Sequence, residues 1–454
     1  MIGDEVGGQR EPEQTGEGQG EPDDAIPFRP DTAVRDCNPV VTLLWSGGFE
    51  VNFRGMLTKS DASDAPTPIA PRLVIDARAG TDDGILPTQR MLGLSLVERT
   101  ARAARRIGYG NVYVLTRTEE TDRYRTLLAR TPGVDVGDSA PADARGGART
   151  VCAPGLVVGE RGWLEEAAGV AVERGGSVGL GAGIVVCGRD VPWSGILSAG
   201  PVRPAPSVHA PLCIAGKSDL AAAERRLTRS LGKGSDGFME RNFERPISRR
   251  LSRRLSRTPI TPNQMTLISA AVGLAAAPFF LSPAPLWQTI GALLFLTHAI
   301  LDGCDGELAR LRYQESRWGG ILDFWGDNVV HAAIFACMAL GWSRAAGAAW
   351  PLGVGAAAVL GALGSASFVY WRVMRPKQGE GPLYVSVARE RKSRLVSMLD
   401  SLSRRDFIYL VLALSLFGKA AWFLALASIG APIFFAMLLV VAAQESRLGR
   451  SALA

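Results

Sequence analysis

Residues 265–281, 286–302, 321–340 and 352–370 are apolar runs close to the length that crosses a bilayer as a helix, which takes about 20 residues. A further apolar stretch over 407–442 holds two more. We divide it near Gly418-Lys419, so that one span ends at Phe417 and the next starts at Ala420, with a break at Ile429-Gly430-Ala431-Pro432 as the alternative. A six-span α-helical polytopic domain is expected, because helices can bond their own backbone in lipid. The overall hydrophobic fraction of 47% hides this segregation, since the apolar residues crowd the C-terminal part of the chain.

Loop charge sets the topology, because cytoplasmic loops collect Lys and Arg. Loops following the even-numbered spans carry Arg310, Arg312 and Arg317, then Arg372, Arg375, Lys377 and the arginines of 389–405, and the tail has Arg447 and Arg450. The opposite loops offer only Arg344 and Lys419. Both termini are therefore expected in the cytoplasm, with the protein in the cytoplasmic (inner) membrane. Residues 1–38 are an acidic, Gly- and Pro-rich tail with no apolar h-region, expected to be disordered and not a signal peptide. The formal charge of +6 sits mainly in 241–257 and 389–405, which suits a membrane surface or anionic substrates and gives no reason to expect a nucleic-acid partner. Six cysteines without a C-x-x-C pair argue against a structural zinc site.

Residues 39–231 alternate short apolar runs with amphipathic stretches, as a soluble α/β domain does. Strands are predicted at 40–45, 72–76, 111–116, 155–158 and 183–187, helices at 94–107, 119–129 and 162–172, and a surface loop at 131–150. Residues 232–262 join this domain to the spans. There Phe243, Ile247, Leu251 and Leu255 recur every four residues among arginines, the pattern of a helix lying in the membrane interface. A solvated basic helix or linker is the alternative.

The chemistry concentrates in Asp302-Gly-Cys-Asp-Gly-Glu-Leu-Ala-Arg310, followed by Gly319, Asp323 and Asp327. Asp302 and Asp305 share one helix face, and Asp323 and Asp327 stack one turn apart on the next. Each carboxylate inside a span costs roughly 2.5–3.5 kcal/mol unless neutralised, so a divalent cation is expected. An oxygen-only cage favours Mg²⁺ or Mn²⁺ over zinc, and a metal pair could bridge a diphosphate. Gly303, Gly306 and Ala309 leave room for a close approach of helices and nucleotide, and Arg310 offers a fork to phosphate oxygens. Carboxylates paired with loop arginines at a membrane edge would be the purely structural alternative. His298 and His331, one turn from Asp302 and Asp327, are read as packed core histidines, with hydrogen bonding near the site as the alternative. Cys304 and Cys337 are read as small packing residues and Glu307 as a water-facing or helix-pairing group.

These residues resemble the D-x2-D-G-x2-A-R-x8-G-x3-D-x3-D motif of CDP-alcohol phosphotransferases (CDP-alcohol phosphatidyltransferases) at every fixed position: Asp302, Asp305, Gly306, Ala309, Arg310, Gly319, Asp323 and Asp327. The resemblance implies six spans, a homodimer, two divalent ions held by Asp302, Asp305, Asp323 and Asp327, and transfer of a phosphoalcohol from a CDP-alcohol to an alcohol or phospho-alcohol with release of CMP. It also implies that Asp327 is the general base, that Gly306, Ala309, Arg310 and Gly319 line the CDP site, and that Thr261-Pro262-Asn263 leads into the first span, with Asn263 at the CDP site.

Residues 231–327 are similar, more narrowly, to di-myo-inositol-phosphate-phosphate synthases, many of which carry an N-terminal inositol-1-phosphate cytidylyltransferase domain. Here 94–116 is similar to the helix and strand of a nucleotidyltransferase, but Ile75-Asp-Ala-Arg-Ala-Gly-Thr-Asp-Asp-Gly84 replaces the glycine-rich triphosphate loop. Ala215 stands where a metal-binding Asp is expected, so the domain is read as degenerate. An anionic acceptor would draw on Arg372, Arg375, Lys377, Arg404 and Arg405, which topology alone explains equally well. The donor is either a polar CDP-inositol type or CDP-diacylglycerol, a membrane lipid. A non-catalytic, membrane-anchored scaffold is the alternative function.

Overall fold

The structure is a computed structural model that describes residues 70–139, 150–159, 162–170, 172, 176–187, 203–204, 211–232, 238–375 and 407–451. The strand expected at 40–45, Lys377, Arg404 and Arg405 lie outside these residues.

The N-terminal part is built on a mixed sheet. Its strands are β1 (Arg72–Asp76), β4 (Val112–Leu115), β5 (Val134–Gly137), β6 (Thr150–Pro154), β8 (Ser177–Gly181), β9 (Ile184–Cys187) and β10 (Arg203–Pro204), in the order β10-β8-β9-β6-β1-β4-β5. β6, β1, β4 and β5 run parallel, while β9 pairs antiparallel with both β6 and β8. Leu73, Val74 and Ile75 of β1 are all buried, as a central strand covered on both faces requires. Two small ribbons, β2 (Arg90–Met91) with β3 (Leu94–Ser95) and β7 (Val157–Val158) with β11 (Leu212–Cys213), flank the sheet. Helix α1 (Leu96–Ile107) starts where the Ser95 hydroxyl accepts from Glu98 N–H and stops at Gly108, whose φ of 99° only glycine adopts without strain. Helices α2 (Thr121–Leu128), α3 (Gly162–Gly169) and α4 (Lys217–Arg229) complete this part.

Two expectations change here. The loop predicted at 131–150 contains β5, because Val134 and Val136 alternate with polar residues and pair with β4 despite the Gly- and Asp-rich surroundings. The strand predicted at 155–158 is shortened to β7: Gly155-Leu156 form the turn that follows β6, and Val157-Val158 turn off to pair with β11.

The C-terminal part is helical. A π-helical turn, Glu240–Glu244, leads into α5 (Arg245–Leu255), followed by α6 (Pro262–Ala276), α7 (Pro285–Arg312), α8 (Arg317–Ala346), α9 (Trp350–Val369), α10 (Phe407–Leu416) and α11 (Ala420–Ser451). A capping box at Thr261 and Gln264 starts α6, and Gly418, at φ 67°, divides α10 from α11. α6 packs on α7 and α8, α9 on α8 and α11, and α10 on α7. Among the described residues, three segments are long and apolar enough to cross a membrane: Pro262–Leu281, Arg317–Ala346 and Trp350–Arg372. Leu267, Leu293, Leu360, Trp422, Leu426 and Ile429 project outward at 48–69% exposure, apolar surface that suits lipid. α5 buries Ser248 and Ser252 against α7 and turns Ile247 outward at 48% exposure, and Phe243 of the π-helical turn before it is 56% exposed. The outer half of the predicted interfacial stripe is thus open, while Leu251 and Leu255 are half-buried.

The two parts are joined by specific contacts. Leu311 of α7 sits in an apolar cluster with Met91, Leu92, Leu96, Ile214 and Leu227. Buried Arg99 donates to the Leu311 carbonyl at 2.8 Å and to the Met91 carbonyl at 2.8 Å, and Arg102 donates to the Arg312 carbonyl at 3.2 Å. Gly93 has φ 85°, and a Cβ there would lie 2.1 Å from the Ser256 carbonyl oxygen, so only glycine lets the β2–β3 turn approach the end of α5 this closely.

Glu224 of α4 binds Arg253 and Arg257, the latter at 3.0 Å. Burial raises the Glu224 pKa, but the two guanidiniums outweigh it and hold the carboxyl below its usual range. A carboxyl whose folded pKa lies below its unfolded one stabilises the fold above the unfolded value, and the contribution is lost as pH falls through the folded one. Both arginines are about half exposed or more, so the contribution is no more than about 1 kcal/mol. Glu224→Gln is expected to flatten the acid side of the thermal stability profile slightly. An unchanged profile would show that the pair contributes nothing.

Candidate active site

The acidic motif occupies the last third of α7 and the first third of α8, two helices joined by a short turn at Tyr313–Ser316. Ser316 starts α8 by accepting from Gly319 N–H at 3.0 Å. The result is that Asp302, Asp305 and Asp323 face one another, with one ligand atom from each inside a 4.8 Å group. Asp302 and Asp305 are 5% and 6% exposed. The Thr266 hydroxyl of α6 donates to Asp305, fixing that carboxylate from a third helix.

This donor set fits a hard divalent cation. It is all carboxylate oxygen, is drawn from two rigid helices, and includes Asp323 Oδ1, a buried oxygen without a hydrogen-bond partner. Like charges this close repel strongly at low dielectric unless a cation or proton intervenes.

Asp327 stands apart from the trio. Its Oδ1 lies 3.4 Å from His298 Nε2, and His298 Nδ1 lies 2.9 Å from the Ser269 carbonyl. A carbonyl can only accept, so Nδ1 carries hydrogen, and one proton must be held between Nε2 and Asp327 for that contact to attract. His298 is therefore a partner of the acid cluster's fourth member and not only a packed histidine. His331, by contrast, packs among Phe295, Phe335 and Phe407.

Beside the trio opens a half-open cavity. Its lining includes Asn263, Gly306, Ala309, Arg310 and Gly319 together with Asp305 and Asp323. A Cβ at Gly319 would lie 2.9 Å from Asn263 Oδ1, so a side chain there would push that amide aside. Arg310 reaches across to donate to the Leu231 carbonyl at 3.2 Å, at the end of the N-terminal domain. A Cβ at Gly303 would meet Arg245 Nη1 at 3.5 Å and Ser248, so this glycine serves the close approach of helices, α7 to α5, while Gly306 and Ala309 line the cavity. Glu307, fully buried, accepts from Arg245 at 3.2 Å and Ser248 at 2.8 Å, which makes it a helix-pairing group.

Sequence reasoning missed Arg106 of α1, which lines the same cavity and binds Glu315 at 3.2 Å. Only the docked fold reveals it. Arg372 and Arg375 sit at the end of α9, where Arg375 stacks on Trp371 and its carbonyl accepts from Arg317 at 2.9 Å. Neither is among the described residues lining the cavity.

In the N-terminal domain, the Asp76 carboxylate at the end of β1 takes a two-pronged bond from Arg78, at 2.7 and 2.9 Å. Burial pushes Asp76 up, but Arg78 holds it below its ordinary value. An anionic group with its own cation thus occupies the turn where a triphosphate cradle is expected. The Ala215 and Gly216 N–H groups bond Asp219 Oδ2 at 3.0 and 3.1 Å.

Residues 259–442 match the CDP-alcohol phosphatidyltransferase family model. An archaetidylinositol phosphate synthase from Pyrococcus horikoshii is 30% identical over 159 residues, 34% of this chain and 78% of that protein. The chain belongs to the CDP-alcohol phosphatidyltransferase family. A bifunctional IPC transferase and DIPP synthase from Archaeoglobus fulgidus is 40% identical over 133 residues, 29% of this chain and 26% of that protein. The similarity thus covers about a quarter of that bifunctional relative. Among solved structures, a phosphatidylinositol phosphate synthase of Mycobacterium tuberculosis with CDP-DAG bound aligns to 43% of this chain and 92% of its own, at 19% identity and a TM-score of 0.31. The family model covers α6 to α10, all four motif aspartates and every expected CDP-site residue, with the cavity's Arg106 lying outside it.

Proposed function

We propose that this chain transfers the phosphoalcohol of a CDP-alcohol to the hydroxyl of an alcohol or phospho-alcohol and releases CMP. The observation that carries this reading is the opening of one cavity, lined by Asn263, Gly306, Ala309, Arg310 and Gly319, directly onto the Asp302–Asp305–Asp323 trio. Nucleotide and reacting diphosphate would then lie side by side. A formed acid cluster beside a formed cavity also speaks against a purely scaffolding role.

Asp302, Asp305 and Asp323, with Asp327 at their edge, would hold two Mg²⁺ or Mn²⁺ ions, which when bound neutralise the diphosphate and the CMP that leaves. Asn263 and Arg310 of the lining hold the donor, while Gly306 and Gly319 leave it space. Asp327 accepts the proton of the acceptor hydroxyl. The acceptor oxygen then bonds to the β-phosphorus, the bond from that phosphorus to the bridging oxygen breaks, and CMP departs with that oxygen. His298 Nε2 stabilises whichever protonation state Asp327 reaches, and the Ser269 carbonyl fixes the ring.

The helical domain is read as six spans, α6 to α11, in the cytoplasmic membrane with both termini cytoplasmic, and as a homodimer. No nucleic-acid role is proposed. Two relatives whose names give inositol phosphate products make CDP-inositol and CDP-diacylglycerol the first donors to test. Purified protein given each donor with inositol, inositol 1-phosphate or glycerol phosphate should release CMP with at least one pair. Absence of CMP across the panel with Mg²⁺ and Mn²⁺ would count against the reading.

The N-terminal domain is proposed to be catalytically silent as a cytidylyltransferase. Full-length protein given CTP and inositol 1-phosphate should release no pyrophosphate above a protein-free control. Steady pyrophosphate release would refute this.

A further inference from the structure

The donor cavity runs between α7 and α8 from Asp305 and Asp323, past Ala309 and Gly319, to Glu315 at the turn that joins the two helices. Glu315 precedes Asp323 by eight residues, about 12 Å at the rise of a helix, which suits the reach from a diphosphate to the far edge of its base. With the donor's diphosphate at the acid cluster and its CMP half along Ala309 and Gly319, the base arrives at Glu315. The wall there is completed from outside the family region, by Arg106 of α1. Arg106 Nη1 donates to the Glu315 carbonyl at 2.7 Å, and Nη2 lies 3.2 Å from the Glu315 carboxylate. The two side chains are 22% and 19% exposed, so most of each is already out of water. A guanidinium has five N–H donors, which leaves donors over, and Arg106 Nε is a buried donor with no hydrogen-bond partner among the described residues. An acceptor and a donor thus stand side by side at the end of the cavity.

We propose that Glu315 and Arg106 read the base of the CDP-alcohol, Glu315 accepting from the cytosine N4 amino group and Arg106 donating to N3 or O2, so that the N-terminal domain supplies half of the pair that selects cytosine over uracil. This rests on the transferase reading above. Cytosine carries the complementary pattern, a donor at N4 beside acceptors at N3 and O2. Uracil reverses two of these positions: its O4 accepts and would face the carboxylate, and its N3–H donates and would face the guanidinium. Buried polar groups that meet a mismatched partner cost more than a missing contact, because both have given up water, so a uridine nucleotide is penalised twice. The domain that lacks a triphosphate cradle then has a function: docking α1 against the end of α7 sets the base preference of the transferase.

The test is calorimetric binding of CDP and of UDP to full-length protein in detergent with Mn²⁺. The wild type should bind CDP about tenfold or more tighter than UDP. Glu315→Gln keeps the size of the side chain but adds N–H donors that uracil O4 can take, and should bring the ratio to within about threefold by weakening CDP and strengthening UDP. Arg106→Met, which removes the donors and keeps the length, should narrow the ratio as well, chiefly by weakening CDP. A pair that only shapes the cavity or holds the α7–α8 turn would weaken both nucleotides alike when altered. Equal binding of CDP and UDP by the wild type, or a ratio unchanged in Glu315→Gln and Arg106→Met, would therefore overturn the proposal. The binding ratio decides it whether or not turnover is seen, and failure of the wild type to release CMP from any CDP-alcohol would refute the transferase reading alone.

Discussion

Asp305→Asn is expected to cut CMP release by roughly 10²–10³-fold or more, because it removes a charged oxygen from the group that would hold the divalent ions and stabilise the departing phosphate. The same change should have the opposite sign on stability when no metal is present. Asp302, Asp305 and Asp323 lie within a 4.8 Å group. Two unit charges no farther apart than that repel by at least about 3 kcal/mol at an effective dielectric near 20. Thermal unfolding in EDTA should therefore show the variant as stable as the wild type or more so. Added Mn²⁺ should raise the wild-type midpoint and leave the variant nearly unmoved, since only a folded state that binds the ion gains from it. A variant that keeps most activity, or that unfolds well below the wild type in EDTA, would mean the trio is held together by something other than a cation.

Asp327→Asn is expected to behave differently. Asp327 lies outside the trio, beside His298, and an amide in its place keeps the volume but cannot take up a proton. The chemical step should slow by roughly 10²–10⁴-fold while CDP-alcohol binding stays largely intact. His298→Ala should lower kcat less, because the ring orients Asp327 and does not itself touch the acceptor. Single-turnover kinetics with equilibrium donor binding separates the two effects. Parallel loss of binding and turnover in Asp327→Asn would make Asp327 a metal ligand and send the search for the base elsewhere.

The acid cluster was legible in the sequence because helix geometry converts spacing into direction: Asp302 and Asp305 three apart, Asp323 and Asp327 four apart, must present paired carboxylates wherever two helices meet. The cavity lining followed from the same motif. The Asp327 contact was not legible, because His298 lies one turn before Asp302 on α7 and reaches Asp327 across to α8, and helix rotation is fixed only by packing. Which helix Gly303 lets approach α7 is settled by the same packing, and it is α5.

β5 was hidden by its neighbours, since two alternating valines carry less local signal than the Gly, Pro and Asp around them. Arg106 had no sequence signal at all. Its role depends on docking α1 against the end of α7, a contact between residues 209 apart that involves buried Arg99, Leu311 and the close approach at Gly93. Amphipathic periodicity marks which face of α1 is buried, but not against what.

The central claim is that the acid cluster and its cavity carry out metal-dependent transfer from a CDP-alcohol. Its most direct test measures CMP and phosphodiester product together, from purified full-length protein with CDP-inositol or CDP-diacylglycerol and an acceptor, in Mg²⁺ or Mn²⁺ and again in EDTA. The account predicts CMP and product in equal amounts with metal, neither in EDTA, and neither from Asp323→Asn. CMP release that persists in EDTA, or in Asp323→Asn with metal present, would contradict it.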